Sequence, residues 1–291
     1  HPILAVRRLP DSGRLADKAR QVTLAVATRT GRVLVDWQRF AALMPYLGSV
    51  AISTGVGLYA LRRRGIAGST VFAAYALLQA SMTLGFILEL LSRSLSSKLF
   101  WDDLQYIGTV VGPIAFLAFA LEYAGYGLGR FQRGLAVVVA LAMLLLGLVF
   151  TDALHGAIRS RAWLEPNPPF GALLYSYGWG FWLIAAFAYV VMTVAIALLI
   201  RRFIDPQGLY RGQVATVIAG ALLPLVGSIP AVAGMEIFVQ RDTTPLTFAV
   251  ANLLMAIGLF RYRVFDIVPI ARDLVVESMS DADFVLLVTE P

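Results

Sequence analysis

The chain has 291 residues, of which 59% are hydrophobic and 14% charged, with a mean hydropathy of +0.76. A soluble domain is about half apolar and about a quarter charged, so this composition excludes an ordinary water-soluble fold and calls for lipid around much of the chain. Cysteine is absent, which removes disulfides and thiolate metal sites; the net charge of +6 is nearly all arginine and fits loops facing anionic lipid rather than nucleic acid.

Residues 1–39 are polar and Arg-rich. Within them Gln21–Trp37 alternates apolar and polar positions around a Thr-Gly pair. That pattern favours a small hairpin, with a poorly ordered tail as the other reading. The segment has no apolar core of signal-peptide kind. The first residue is His rather than Met, so a start further upstream, or processing, is expected.

Seven uncharged apolar runs follow, and they predict spanning helices at about 42–62, 69–91, 102–124, 134–152, 177–202, 211–233 and 244–262. Each comes near the roughly 20 apolar residues that a crossing helix needs. A closed barrel would show alternating segments of about 10 residues instead. The expected fold is an all-α integral membrane bundle of seven transmembrane helices over residues 40–262. Pro113, Pro224 and Pro230 lie inside runs, and kinks are expected there because neighbouring helices can re-satisfy the freed carbonyls.

Loop charges set the expected orientation. Arg62–Arg64, Arg130, Arg133, Arg201, Arg202, Arg211, Arg261 and Arg263 fall on one side. Arg93, Lys98, Arg159, Arg161 and Arg241 fall on the other, offset by Asp102, Asp103, Asp152, Glu165, Glu236 and Asp242. Short-loop Arg and Lys mark the cytoplasmic face, so the N-terminus is expected outside and the C-terminus in the cytoplasm, against the pull of the basic N-terminal tail. Trp101, Tyr106, Tyr175, Tyr177, Trp179 and Trp182 then fall at the outer boundary, where amphipathic rings favour the interface.

No enzyme signature is visible: no HExxH, no phosphate-cradling glycine loop and no nucleophile elbow. No catalytic, metal or cofactor-binding residue is therefore assigned. The only lysines, Lys18 and Lys98, lie outside the apolar runs, so a retinal Schiff base is excluded. Acids cluster at helix ends, which weakens an ion-coupled transporter. Glu89 is the acid nearest the membrane interior; it either pairs with Arg93 at i+4 or faces an outer cavity. Asp152 and His155 close the fourth helix, where they either cap it or sense pH. The candidate sensing residues are Glu89, Trp101, Gln105, Tyr106, Asp152, His155 and Trp182.

Lys98–Gly125, KLFWDDLQYIGTVVGPIAFLAFALEYAG, resembles the third helix of the N-terminal seven-transmembrane region of membrane histidine kinases. Lys98, Phe100, Trp101, Gln105, Tyr106, Pro113, Phe119, Ala120, Leu121, Tyr123 and Gly125 carry the likeness. Further stations agree in order: Thr151-Asp152 with His155-Gly156, then Gly178, Trp179 and Trp182, then Tyr210-Arg211 and Gln213, then Asp242, Thr244 and Pro245, and last Arg261 through Met279. The likeness runs from about Pro45 to the end. It departs at Asp152, where Asn is usual, and at Asp281-Ala282-Asp283, where Asp-Gly is common.

This resemblance implies the sensory input module of a bacterial two-component protein. A connector helix is expected at 263–281 and the start of a PAS-like domain at 282–291, followed in the same polypeptide by a kinase or, less often, a diguanylate cyclase. Arg261, Arg263, Asp266, Pro269, Arg272, Leu274 and Met279 are the implied signal-transmission residues. Pro269 suits a first helical turn. Ile270, Leu274 and Val275 share one helix face that either pairs with its twin in a homodimer or lies on the membrane. The expected partners are the lipid bilayer of the cytoplasmic membrane, the PAS and kinase output and an unknown ligand, without nucleic acid. A small transporter or channel, and a passive membrane anchor, stand as alternatives.

Overall fold

The computed structural model describes residues 12–166, 170–204, 211–232 and 244–261. Seven helices organise it: α1 Ser12–Arg62, α2 Ser69–Leu91, α3 Leu95–Tyr123, α4 Gln132–Phe150, α5 Trp179–Ile204, α6 Arg211–Val232 and α7 Thr244–Ala256, which continues as a π-helical turn over Ile257–Arg261. Six contain stretches long and apolar enough to cross a bilayer, and the seventh, Thr244–Phe260, is apolar but shorter. Backbone hydrogen bonds must be made internally where no water reaches, and a helix makes them all within itself.

The helix ends are set by local chemistry. Gly68 precedes α2 with φ of +82°, a left-handed conformation that costs glycine nothing. Ser94 caps α3 by accepting from the Ser97 backbone N–H at 3.2 Å. Pro113 and Pro224 both sit inside unbroken helices.

Six helices close a ring: α1 packs on α2, α2 on α3, α3 on α5, α5 on α6, α6 on α7, and α7 returns to α1. α4 stands outside the ring, mainly against α3, and turns Val137, Met143 and Leu144 outward. At the end of the bundle where α7 finishes, Phe72, Phe116, Phe119, Leu199, Val217, Met255, Leu259 and Phe260 form the main core. Buried polar contacts tie the last helix to the first: Asn252 Nδ2 donates to Ser53 Oγ at 2.9 Å, and Ser49 Oγ donates to the Pro245 carbonyl at 2.8 Å. Such contacts hold helices together in lipid, where burial of apolar surface supplies little drive.

Two features depart from the expectations. Gln21–Trp37 is not a hairpin; it lies within α1, which runs unbroken from Ser12. Thr-Gly is not one of the strong two-residue turn sequences, and once a long helix has nucleated each added residue gains a hydrogen bond. The chain also contains a strand pair where only a loop was expected. β1, Arg159–Glu165, pairs antiparallel with β2, Ala172–Tyr177, with Trp163 opposite Leu174 and an irregularity between Arg159 and Arg161. The connector at 263–281 and the PAS-like start at 282–291 lie outside the described residues.

Candidate functional site

The ring of helices encloses a cavity of roughly 330 Å3, at the lower end of the range of about 300–1,000 Å3 for small-molecule sites. Its walls come from α2, α3, α5, α6 and α7, and the β-hairpin supplies Glu165 and most of β2. The hairpin is rooted by a charged cluster. The Arg159 side chain is 5% exposed, and its Nε donates to Asp102 Oδ2 at 2.8 Å while one terminal nitrogen meets the same oxygen and Asp103 Oδ1, the latter at 2.7 Å. The other terminal nitrogen is 3.5 Å from Asp152 Oδ2. The guanidinium also lies 5.5 Å from the ring centres of Tyr106 and Tyr175. Burial works against its charge, but the carboxylates, Asp102 first, outweigh that penalty and hold the guanidinium above its ordinary range. Burial, and then the field of Asp102, pushes the Tyr175 hydroxyl well above the usual phenol range, so it stays protonated beside the acids.

Asp152 does more than face Arg159. Its two carboxylate oxygens accept from the backbone N–H groups of Ile158 at 2.7 Å and Arg159 at 3.1 Å. The turn that leads into β1 is thereby fixed to the end of α4. Gly178 completes the root: a Cβ there would fall inside the Ala157 carbonyl, so only glycine admits this approach. His155 sits at the edge, with Nδ1 accepting from the Ala157 N–H and Nε2 at 3.0 Å from Thr151 Oγ1.

Of the sequence candidates, Glu89, Gln105 and Tyr106 come together on the cavity wall. Gln105 Nε2 donates to Glu89 Oε2 at 3.0 Å. Glu89 is engaged from α3, by Gln105 and by Lys98, whose Nζ donates to the Glu89 backbone carbonyl at 2.7 Å; Arg93 lies beyond the end of α2 and is exposed. Trp101 and Trp182 are not brought to the wall. Trp101 packs edge-on against Phe100 at 5.2 Å, and Trp182 is half exposed beside Tyr177 and Phe181. Asp152 and His155 stand at the hairpin root. Arg263, Asp266, Pro269, Arg272, Leu274 and Met279 lie outside the described residues, and Arg261 ends the π-helical turn.

Sequence reasoning missed Arg159, Gln79 and the hairpin. Gln79 is 4% exposed and lines the cavity, and its side-chain carbonyl oxygen has no hydrogen-bond partner. A signal for the hairpin existed: two short stretches, RSRAWLE and ALLYSY, flank the Pro/Gly-rich segment Pro166–Gly171.

The architecture is that of a multi-pass membrane bundle with one end roofed by a strand pair and a polar-and-aromatic chamber beneath it. A family described as the N-terminal 7TM region of histidine kinase matches residues 45–269. The chain belongs to that family, and its fold is the all-α seven-transmembrane bundle. The family is the sensor region of these kinases, so the chain is not itself the catalytic part. No curated protein matches the sequence.

Proposed function

We propose that this bundle receives a stimulus in the chamber beneath the hairpin and passes it through α7 to a cytoplasmic output domain of the same polypeptide. The observation that carries this reading is the course of α7. Its first residues, Thr244 and Phe248, line the chamber. Its last, Leu259 and Phe260, are locked in the core at the other end, with the Phe260 ring 5.0 Å from Tyr59 and 6.4 Å from Phe72. One rigid element therefore touches both places, about 18 Å apart at 1.5 Å per residue. π-helical turns such as the one that ends it are frequent at functional sites.

A stimulus drives output only through differential affinity for two packings. The occupied chamber is the packing in which α7 is displaced. Output passes through Arg261, Arg263, Asp266, Pro269, Arg272, Leu274 and Met279 to a PAS and kinase pair acting as a homodimer in a bacterial two-component system. The positive-inside rule supports a cytoplasmic end carrying Arg62–Arg64, Arg130, Arg133, Arg201, Arg202 and Arg211. It puts the hairpin on the outer face of the inner membrane.

Leu274→Asp tests the coupling. Placing a charge on the apolar face of the connector should abolish the response of the full-length kinase while membrane insertion and bundle unfolding stay as in the parent. Unchanged signalling would refute transmission through this face.

A further inference from the structure

The chemistry of the chamber narrows what it accepts, given the reading of the chamber as the stimulus site. All the charged side chains among its lining residues are acidic: Glu89, Asp102 and Glu165. Around them, the carboxylates of Glu89, Glu165, Asp102, Asp103 and Asp152 stand against two buried cations, Arg159 and Lys98. Glu165 is exposed to solvent, as are Arg93 and Arg161; the other four carboxylates stand against two cations, an excess of two negative charges. A low-dielectric wall focuses such a field, and it favours a cation.

Acceptors deeper inside point the same way. The Gln79 side-chain carbonyl oxygen is buried in the wall without a partner. An unpaired buried acceptor costs about 1–3 kcal/mol; this oxygen shows almost no surface to the chamber, and the same side chain bonds Tyr75, so a ligand donor removes that cost only when the Gln79 amide turns toward it. Thr109 and Pro113 also line the chamber, and proline has no N–H to give the carbonyl four residues back. Tyr75, Phe86, Tyr177, Phe181, Tyr189 and Phe248 supply aromatic surface between the two ends, a lining that suits an aryl body and, through ring faces, a cation.

We propose that the chamber binds a small aryl-alkylamine, its ammonium at the Glu89 carboxylate and a hydrogen-bond donor at its far end on the Gln79 carbonyl. Glu89 and Gln79 lie ten residues apart on α2, about 15 Å along the axis. An aryl-ethylamine with a para hydroxyl measures about 8 Å from nitrogen to oxygen, and a hydrogen bond of about 2.8 Å at each end extends its reach to about 13–14 Å; the Glu89 and Gln79 side chains close the remaining gap by leaning toward one another.

Three probes of matched shape decide it, added to the full chain in lipid nanodiscs and read by thermal unfolding, since a ligand of the folded state raises the midpoint. Tyramine carries both groups, 2-phenylethylamine lacks the far donor, and 3-(4-hydroxyphenyl)propanoate replaces the cation with an anion. Tyramine should stabilise the bundle in a saturable way, 2-phenylethylamine should bind at least fivefold more weakly, and the propanoate should leave the midpoint unmoved. Glu89→Gln should weaken tyramine at least tenfold. Gln79→Leu should raise the midpoint of the empty protein and bring tyramine down to the affinity of 2-phenylethylamine. Stabilisation by the propanoate equal to that by tyramine, no shift with any probe, or full tyramine affinity in both variants would overturn the proposal. Should Glu89→Gln fail to fold, the parent protein and Gln79→Leu still decide. If the amine fails while plugging the chamber still fixes the kinase at one level, the ligand class falls and the stimulus site stands; if both fail, both fall.

Discussion

Replacing Arg159 with methionine should destabilise the bundle by about 3–5 kcal/mol, the cost of removing one partner from a buried ion pair. The reason is the company it leaves behind. Asp102, Asp103 and Asp152 all face this guanidinium, and the Asp102 and Asp152 side chains are 13% and 8% exposed. Without it, three carboxylates lose the guanidinium they share. Methionine keeps the length and apolar stem, so lost packing is not the cause. Arg159→Lys should recover only part of the loss, because an ammonium cannot present the fork that spans Asp102 and Asp103. Unfolding of the purified chain in detergent, followed by helical circular dichroism, measures both. Adding Asp103→Asn to Arg159→Met should restore some stability, and a variant as stable as the parent would show that the cluster does not anchor the hairpin.

Phe260→Ala is the second large effect. Phe260 is 8% exposed and packs against Tyr59 and Phe72. In a soluble core a Phe→Ala change costs about 3–5 kcal/mol, part of it transfer from water and part the cavity left behind. Lipid removes much of the transfer part, so the expected loss is about 2 kcal/mol. The functional effect should exceed the energetic one. On the proposed coupling through α7, freeing its base should remove the choice between two packings and make kinase output insensitive to stimulus. A variant that loses stability but keeps a full response would place the coupling elsewhere.

How far the sequence could be read follows from the range of each interaction. The apolar runs were legible because a crossing helix declares itself within its own residues, and the resemblance around Lys98–Gly125 identified the family. Glu89, Gln105 and Tyr106 were found for a similar reason, being polar or amphipathic groups at the ends of apolar runs. Arg159 was not. Its contact with Asp102 joins residues 57 apart, and in the sequence it is one basic residue in an outer loop. The same loop charges that served to orient the chain, Arg159 against Asp102, Asp103 and Asp152, are in direct contact in the structure. Gln79 was hidden inside an apolar run, and only the chamber makes its unpartnered oxygen meaningful. Trp101 and Trp182 were attractive as rings near the site, yet ring position along a helix does not fix which side it faces. The alternation in Gln21–Trp37 misled because local period is weak evidence against a helix already nucleated downstream.

Filling the chamber should change the output. Gly112 lines it, and a Cβ there would meet nothing within 4 Å. The first side-chain carbon of Gly112→Leu therefore enters without a clash, and the rest of the side chain is expected to take up space in the chamber. Gly55 on α1 is exposed and equally unhindered, yet outside the chamber, so Gly55→Leu is the control. The measurement is autophosphorylation of the full-length kinase in nanodiscs, with and without membrane extract of the cells that produce it. Gly112→Leu should fix activity at a single level, unmoved by the extract, while Gly55→Leu should respond as the parent does. A normal response in Gly112→Leu would contradict it.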